Sequence, residues 1–268
     1  MDLQLRDKRA VVTGSTSGIG EAVARWLAAE GVVVVIHGRR EAEANRVAAE
    51  IVAAGGRAIV ALGDLALDTG AEAVAHRVND ELGGADILVN NAGVFPQSAW
   101  FSIDAAAWTR LYNINVGSMI RMIDRFVPSM KRRGWGRVIA ISSIVATMPF
   151  SRSAAYAATK CANLNLTVSL AKELAGSGVT SNCVSPGMID TPGVEAMLKQ
   201  IAPQLGLPAD DLTAIREYAA KNLVPNPSAR IGQPEDVAAA VTFLASPLAG
   251  YINGADLRVD GGTVPTIN

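Results

Sequence analysis

Three side chains in the middle of the sequence have the types and spacing for proton transfer: Ser143, Tyr156 and Lys160. Tyr156 and Lys160 are four apart, which on a helix puts both on one face. A phenol titrates near 10 in water and is a poor base at neutral pH. An ammonium beside it favours the phenolate and is expected to lower that value toward the working range. Ser143 follows Arg137–Ser142, a short aliphatic run that reads as a strand, and a hydroxyl there can hold a substrate oxygen beside the phenol. A Tyr-x-x-x-Lys pair alone is a common surface feature. The serine upstream and a glycine turn near the N-terminus make it specific.

That turn is Thr13-Gly14-Ser15-Thr16-Ser17-Gly18-Ile19-Gly20, between the strand-like Ala10–Thr13 and the helix-like Ile19–Glu30. Glycines there let the backbone turn tightly and approach a pyrophosphate, whose charge a helix N-terminus favours. The spacing is G-x-x-x-G-x-G, and its place at the first strand–helix junction favours nucleotide binding over an ordinary Gly-rich turn. An acidic residue at the end of the second strand would bind the adenosine ribose of NAD, whereas a basic one accommodates the 2′-phosphate of NADP. The sequence offers His37-Gly38-Arg39-Arg40 and no carboxylate before Glu41. Arg39 and Arg40 therefore point to NADP(H), since a guanidinium fork suits phosphate. Arginines merely facing solvent at a helix start, with NAD(H) as the cofactor, form the alternative.

Strands and helices alternate along the chain to position these groups. Strands are expected at 10–13, 32–37, 57–62, 86–90, 137–142, 179–184 and 257–260. Helices are expected at 19–30, 41–54, 71–82, 105–127 and 154–174, the fourth being one long helix reaching toward Pro128. The alternation argues for an α/β fold, a doubly wound parallel sheet of about seven strands with helices on both faces, in one domain over 1–268. Between Gly187 and Arg230 no strand is expected and five prolines punctuate short helical stretches. This insertion, at about 188–230, reads as a substrate lid or as a structural or subunit-contact arm.

Half of the 268 residues are hydrophobic and only 5% aromatic, the mix of buried parallel strands covered by helices. A net charge of −1 points to no nucleic-acid or membrane partner. The basic run Lys131-Arg132-Arg133 reads as a solvated helix end. The N-terminal residues do not read as a secretory signal, and the aliphatic run Val32–Ile36 is too short to cross a bilayer. Two cysteines, Cys161 and Cys183, without metal-ligand spacing argue against disulfides and structural zinc and fit a reducing cytoplasm.

With these motifs assembled, the chain resembles the short-chain dehydrogenase/reductase family, in its compact one-domain branch with a Rossmann-type fold, over essentially its whole length. The resemblance rests on Thr13-Gly14-x-x-x-Gly18-Ile19-Gly20, Asp64, Asn90-Asn91-Ala92-Gly93, Asn115, Ser143, Tyr156-x-x-x-Lys160, Pro186-Gly187 and Thr191. It implies that Tyr156 is the acid in carbonyl reduction and the base in alcohol oxidation. Lys160 would tune it and bind the nicotinamide ribose, Ser143 would polarise the carbonyl, and Asn115 would support a water-linked relay to Lys160. Asp64 and Leu65 would contact adenine, Asn91 with Ala92 and Gly93 would lie against the cofactor, and Ile189 and Thr191 would reach the nicotinamide amide. Similar family members are commonly tetramers built on the helices at 105–127 and 154–174 and the C-terminal segment, so a homotetramer or dimer is implied. Two departures stand out: Ser17 replaces a basic residue frequent in NADP(H)-using relatives. The post-Gly187 segment is also longer than in the simplest 3-oxoacyl-carrier-protein reductases, which the chain otherwise resembles.

The expected reaction is hydride exchange between NADP(H) and a ketone, 3-oxoacyl group or secondary alcohol. The alternatives are an NAD-dependent dehydrogenase of a polyol, sugar or hydroxy acid, and a dinucleotide-binding sensor without catalysis. Apolar pocket candidates are Phe95, Gln97, Val145, Met148, Phe150, Met188, Met197 and Leu198. Arg152 reads as capping or solvent-facing, with an acidic substrate group as its alternative partner. His37 and His76 are placed away from the centre and given no chemistry.

Overall fold

Each aliphatic run becomes a strand of one sheet: β1 (Arg9–Val12), β2 (Val33–Gly38), β3 (Arg57–Leu62), β4 (Ile87–Asn90), β5 (Gly136–Ile141), β6 (Val179–Pro186) and β7 (Asp256–Val259). The computed structural model describes residues 2–266. The strands lie in the order 3-2-1-4-5-6-7, and every neighbouring pair is parallel. The helices are α1 (Gly18–Ala29), α2 (Glu41–Ala53), α3 (Asp68–Leu82), α4 (Ala105–Tyr112), α5 (Ser118–Arg133), α6 (Ala154–Glu173), α7 (Pro192–Ile201), α8 (Leu212–Tyr218) and α9 (Pro234–Ala245).

Period-two alternation sends successive strand residues to opposite faces. On one face Val12, Ile36, Ile87, Ile139 and Val184 pack with Leu27 of α1, Ile51 of α2 and Leu244 of α9. On the other, Val11, Val35, Leu88 and Val138 pack with Val74 of α3 and Met122, Phe126 and Met130 of α5. The strand order reverses between β1 and β4, and ligands in such sheets sit beyond the carboxyl ends of the strands at that point.

Three expectations are corrected. The helix expected over 105–127 is broken by a π-helical turn at Asn113–Gly117, and its second half runs past Pro128 to Arg133. Proline removes one backbone hydrogen bond, and burial of Phe126, Val127 and Met130 around it holds the helix together. The basic run 131–133 is the last turn of α5, yet it is not merely solvated. Arg133 donates to the Ala85 carbonyl and pairs with Asp86 at 3.3 Å. Asp86 also takes a two-pronged contact from Arg9, at 2.8 and 2.6 Å, and these cations hold its carboxyl below the usual carboxylate range against the opposing effect of burial.

The third correction is α9, where periodicity gives no element. Its body, Val237–Ala245, is almost all small and aliphatic, so it has no polar face to create a helical rhythm. The start signal is local: Pro234 occupies the first turn, and Gln233 and Asp236 form a reciprocal capping box. The helix lies against α1, so truncation of a side chain on its buried face tests whether it belongs to the core. Leu244→Ala should cost about 2–5 kcal/mol, read as a lower denaturant midpoint at unchanged slope.

Candidate active site

The turn after β1 leaves backbone bare where α1 begins. Gly14 and Gly18 have φ of +66° and +55°, a region costly for residues with a Cβ. A Cβ on Gly20 would strike the Gly14 carbonyl oxygen and come 2.5 Å from Nδ2 of Asn91. No side chain caps the helix at Ser17, so its first N–H groups remain free for an anion. A dinucleotide's pyrophosphate fits such a cradle.

Neighbouring side chains fix this turn. Asn91 Nδ2 donates to the carbonyls of Thr13 and Gly14 at 2.9 and 3.1 Å. Thr13 Oγ1 accepts the N–H groups of Asn91 and Ala92, both at 2.9 Å. His37, expected to be remote, completes the clamp. Its Nδ1 accepts the Gly14 N–H at 3.0 Å and its Nε2 lies 3.1 Å from the Gly63 carbonyl, which assigns the ring proton to Nε2. Desolvation pushes its pKa down to about 4. Ser15 is buried, its hydroxyl accepting the His37 N–H at 2.9 Å. Only the strand-end position of His37 hinted at this role.

At the far end of β2, a Cβ on Gly38 would come 2.5 Å from Cγ2 of Thr16, so the glycine brings the two loops together. Arg39 is exposed and has no ion pair or hydrogen bond among the described residues. Arg40 is committed to Glu43 at 2.9 Å. Asp64 Oδ1 accepts the Ala66 N–H at 3.0 Å. Leu65 is in the core, leaving only its backbone to meet a ligand.

The proton-transfer groups meet across β5 and α6. Lys160 is 5% exposed and its Nζ donates to the Ile141 carbonyl at 2.7 Å. That nitrogen lies 5.6 Å from the centre of the Tyr156 ring, and Ser143 stands beside the phenol. The expected lowering of the phenol's pKa is not found: burial pushes Tyr156 up to about 12, and the Ser143 hydroxyl only partly opposes it. Burial likewise lowers Lys160 to about 8. Desolvation is the larger cause of both shifts.

Asn115 lies in the π turn, a distortion that often marks functional positions. Its Oδ1 accepts the Val94 N–H at 2.9 Å, and its Nδ2 donates to the Val94 carbonyl at 2.9 Å and to Thr159 Oγ1 at 3.1 Å. Thr159 in turn donates to the Tyr156 carbonyl at 2.7 Å. Asn115 thus ties the loop after β4 to α6. Gly93 passes so close that a Cβ would sit 3.1 Å from Asn115 Oδ1 and 3.9 Å from Lys160 Nζ.

A cleft of about 620 Å³ joins the Gly14–Gly20 turn to Ser143, Tyr156 and Lys160. Pro186, Gly187, Ile189 and Thr191 form its third side. Thr191 caps α7 by accepting the Val194 N–H at 3.3 Å. Of the apolar candidates, Phe95, Gln97, Val145, Phe150, Met188 and Met197 line the cleft. Met148 packs beneath it, and Leu198 is buried with Ala202, Ile215 and Ala219 in the insertion's own small core. The insertion contains α7 and α8 and no strand among the described residues. It closes at its base, where Asp190 N–H donates to Gly232 O and Gly232 N–H to Met188 O, at 2.8 and 2.9 Å. No helix among the described residues is long and apolar enough to cross a membrane.

The short chain dehydrogenase model matches residues 8–202. The chain belongs to this family. It is an oxidoreductase of hydroxyl and carbonyl groups, with a nicotinamide dinucleotide as cofactor. It is 40% identical to the uncharacterized oxidoreductase YvaG of Bacillus subtilis, over all of both chains. It is 34% identical to the 3-oxoacyl-carrier-protein reductase FabG of Vibrio cholerae, over 97% of this chain and 98% of that one. Among solved structures, L-sorbose reductase from Gluconobacter frateurii, complexed with NADPH and L-sorbose, superposes with a TM-score of 0.94 at 32% identity over all of both chains.

The His37 clamp has a pH signature. The imidazole titrates near 6.5 when unfolded and about 4 when folded. As pH falls from about 6.5 toward 4, only the unfolded chain takes up this proton, so stability present above that window is lost, on the order of 3 kcal/mol. His37→Gln should flatten the dependence of the denaturation midpoint on pH across that window.

Proposed function

We propose that the chain is an NADP(H)-dependent oxidoreductase that interconverts a ketone and a secondary alcohol. The observation that carries the reading is the meeting of Ser143, Tyr156 and Lys160 in one cleft with the bare Gly14–Gly20 turn. When bound, the dinucleotide supplies or takes up the hydride at its nicotinamide ring. Tyr156, still protonated throughout the neutral range, gives its phenolic proton to the carbonyl oxygen in reduction. Ser143 donates a hydrogen bond to that oxygen and fixes its position. Lys160 supplies positive charge that stabilises the phenolate left behind, at an ε of the pocket where such a charge counts more than in water. In the reverse direction it is the phenolate form of Tyr156, stabilised by the Lys160 ammonium, that accepts the alcohol proton. Asn115 holds the loop and helix that carry these groups. Tyr156→Phe removes the hydroxyl that gives up its proton to the substrate oxygen and leaves the glycine turn intact. Turnover should be lost by at least a hundredfold while NADPH binding, followed by fluorescence, stays within a factor of two or three.

The NADP(H) preference is supported by Arg39, free at the end of β2 with no carboxylate in the position that would favour NAD. The NADPH complex of the sorbose reductase is consistent with it. A charged hydrogen bond of this kind is worth about 1.5–3 kcal/mol. Arg39→Ala should therefore weaken NADPH binding by roughly ten- to a hundredfold and leave NADH binding unchanged. Equal loss for both cofactors would favour the NAD-dependent alternative.

A further inference from the structure

The cleft has a second cation that proton transfer does not use. Of the described residues lining it, only Lys160 and Arg152 are charged, and none is a carboxylate. Lys160 is committed, buried against the Ile141 carbonyl and the tyrosine ring. Arg152 makes no side-chain hydrogen bond or ion pair among the described residues, and it is exposed to the cavity mouth.

The position of Arg152 is fixed even though its side chain is free. Its carbonyl accepts the Ser98 N–H at 2.9 Å, and Ser98 and Ser153 form a bridge of parallel strand type. These contacts also place it along the cleft. The segment from Asn91 to Ser98 begins at the glycine turn, passes Asn115 at Gly93 and Val94, and ends at Arg152. Arg152 therefore lies at the end opposite the cofactor cradle. It stands just before α6 and four residues ahead of Tyr156.

The surroundings favour an anion. The N-terminus of α6 opens at this end, and the Ser153 hydroxyl does not cap it, donating to the Phe150 carbonyl at 3.2 Å instead. The helix dipole there adds positive potential. Phe95 and Phe150 supply apolar walls, the Phe95 ring centre 6.4 Å from that of Tyr156.

We infer that Arg152 binds a carboxylate of the substrate, so that the substrate is a keto acid, or the matching hydroxy acid, whose carbonyl reaches Tyr156 while its carboxylate reaches Arg152. The inference rests on the reductase reading given above. A guanidinium holds a carboxylate by two parallel N–H bonds, which sets the distance between the two ends of the substrate as well as its charge.

The test is an NADPH-consumption series over keto acids with the carboxylate two to five carbons from the carbonyl, each paired with its methyl ester, with neutral ketones of the same length. At least one acid should be reduced with a kcat/KM ten or more times that of its ester, the difference lying in KM. Arg152→Ala should remove that preference, leaving ester and neutral-ketone rates within twofold, and Arg152→Lys should restore part of it. Calorimetric Kd values for the matching hydroxy acid and hydroxy ester with NADP+ present should show the same ratio and the same loss in Arg152→Ala. Esters reduced as well as acids, or an acid preference that survives Arg152→Ala, would overturn the role of Arg152 and leave the reductase reading standing. No turnover of any acid, ester or neutral ketone would overturn the reductase reading itself, and the role of Arg152 with it.

Discussion

The ammonium of Lys160 is the constraint from which the site's architecture follows. A buried cation must be hydrogen-bonded or it drags its element out of the core. Here it is met by the Ile141 carbonyl at the end of β5. That single contact fixes α6 against the sheet, with Tyr156 one turn earlier on the same helix. The Ser142 hydroxyl donates to the Lys160 carbonyl at 3.0 Å and locks the joint from the backbone side. Ser143, next in the chain, is thereby delivered beside the phenol. The same burial that positions the lysine also weakens its hold on its own proton, so geometry and titration are consequences of one choice.

A second group of contacts does for the cofactor end what Lys160 does for the chemistry. Gly14 is held from one side by the carboxamide of Asn91 and from the other by the imidazole of His37. His37 belongs to β2 and Asn91 directly follows β4, the strands on either side of β1. A turn built from glycines has little conformational preference of its own, so its shape is imposed by neighbours. Neutral His37 can play this part only because its environment keeps the proton off Nδ1.

How much of this was legible in the sequence depended on whether the signal was local. The seven strands, the glycine turn and the Tyr156–Lys160 pair could be read because each is written in adjacent residues or a fixed spacing. Helix α9 could not be read from periodicity, since its exposed positions Ala239 and Phe243 are as apolar as its buried face and leave no amphipathic stripe; its capping residues were the only mark. The π turn at Asn113–Gly117 inserts one extra residue into a helix whose pattern otherwise runs on smoothly. The direction of the Tyr156 shift depends on how far the assembled fold buries the phenol, a property that spacing cannot carry. Arg152 was ambiguous for the same reason: its sequence neighbours are compatible with solvent, and only the folded cleft shows what it faces.

The insertion between β6 and α9 has its own small core, and its two ends are hydrogen-bonded to each other at Met188, Asp190 and Gly232. A segment closed at its base is topologically an appendage. Exchanging it for one of another length changes the entropy of ring closure only logarithmically, provided that Met188, Leu223 and Val224 keep their packing on Ile144, Val145 and Tyr156. The molecule therefore divides into a hydride-transfer engine that tolerates little alteration and a substrate roof that can be rebuilt wherever it does not pack on that engine. Specificity can diversify on such a scaffold without reopening the question of how the proton moves.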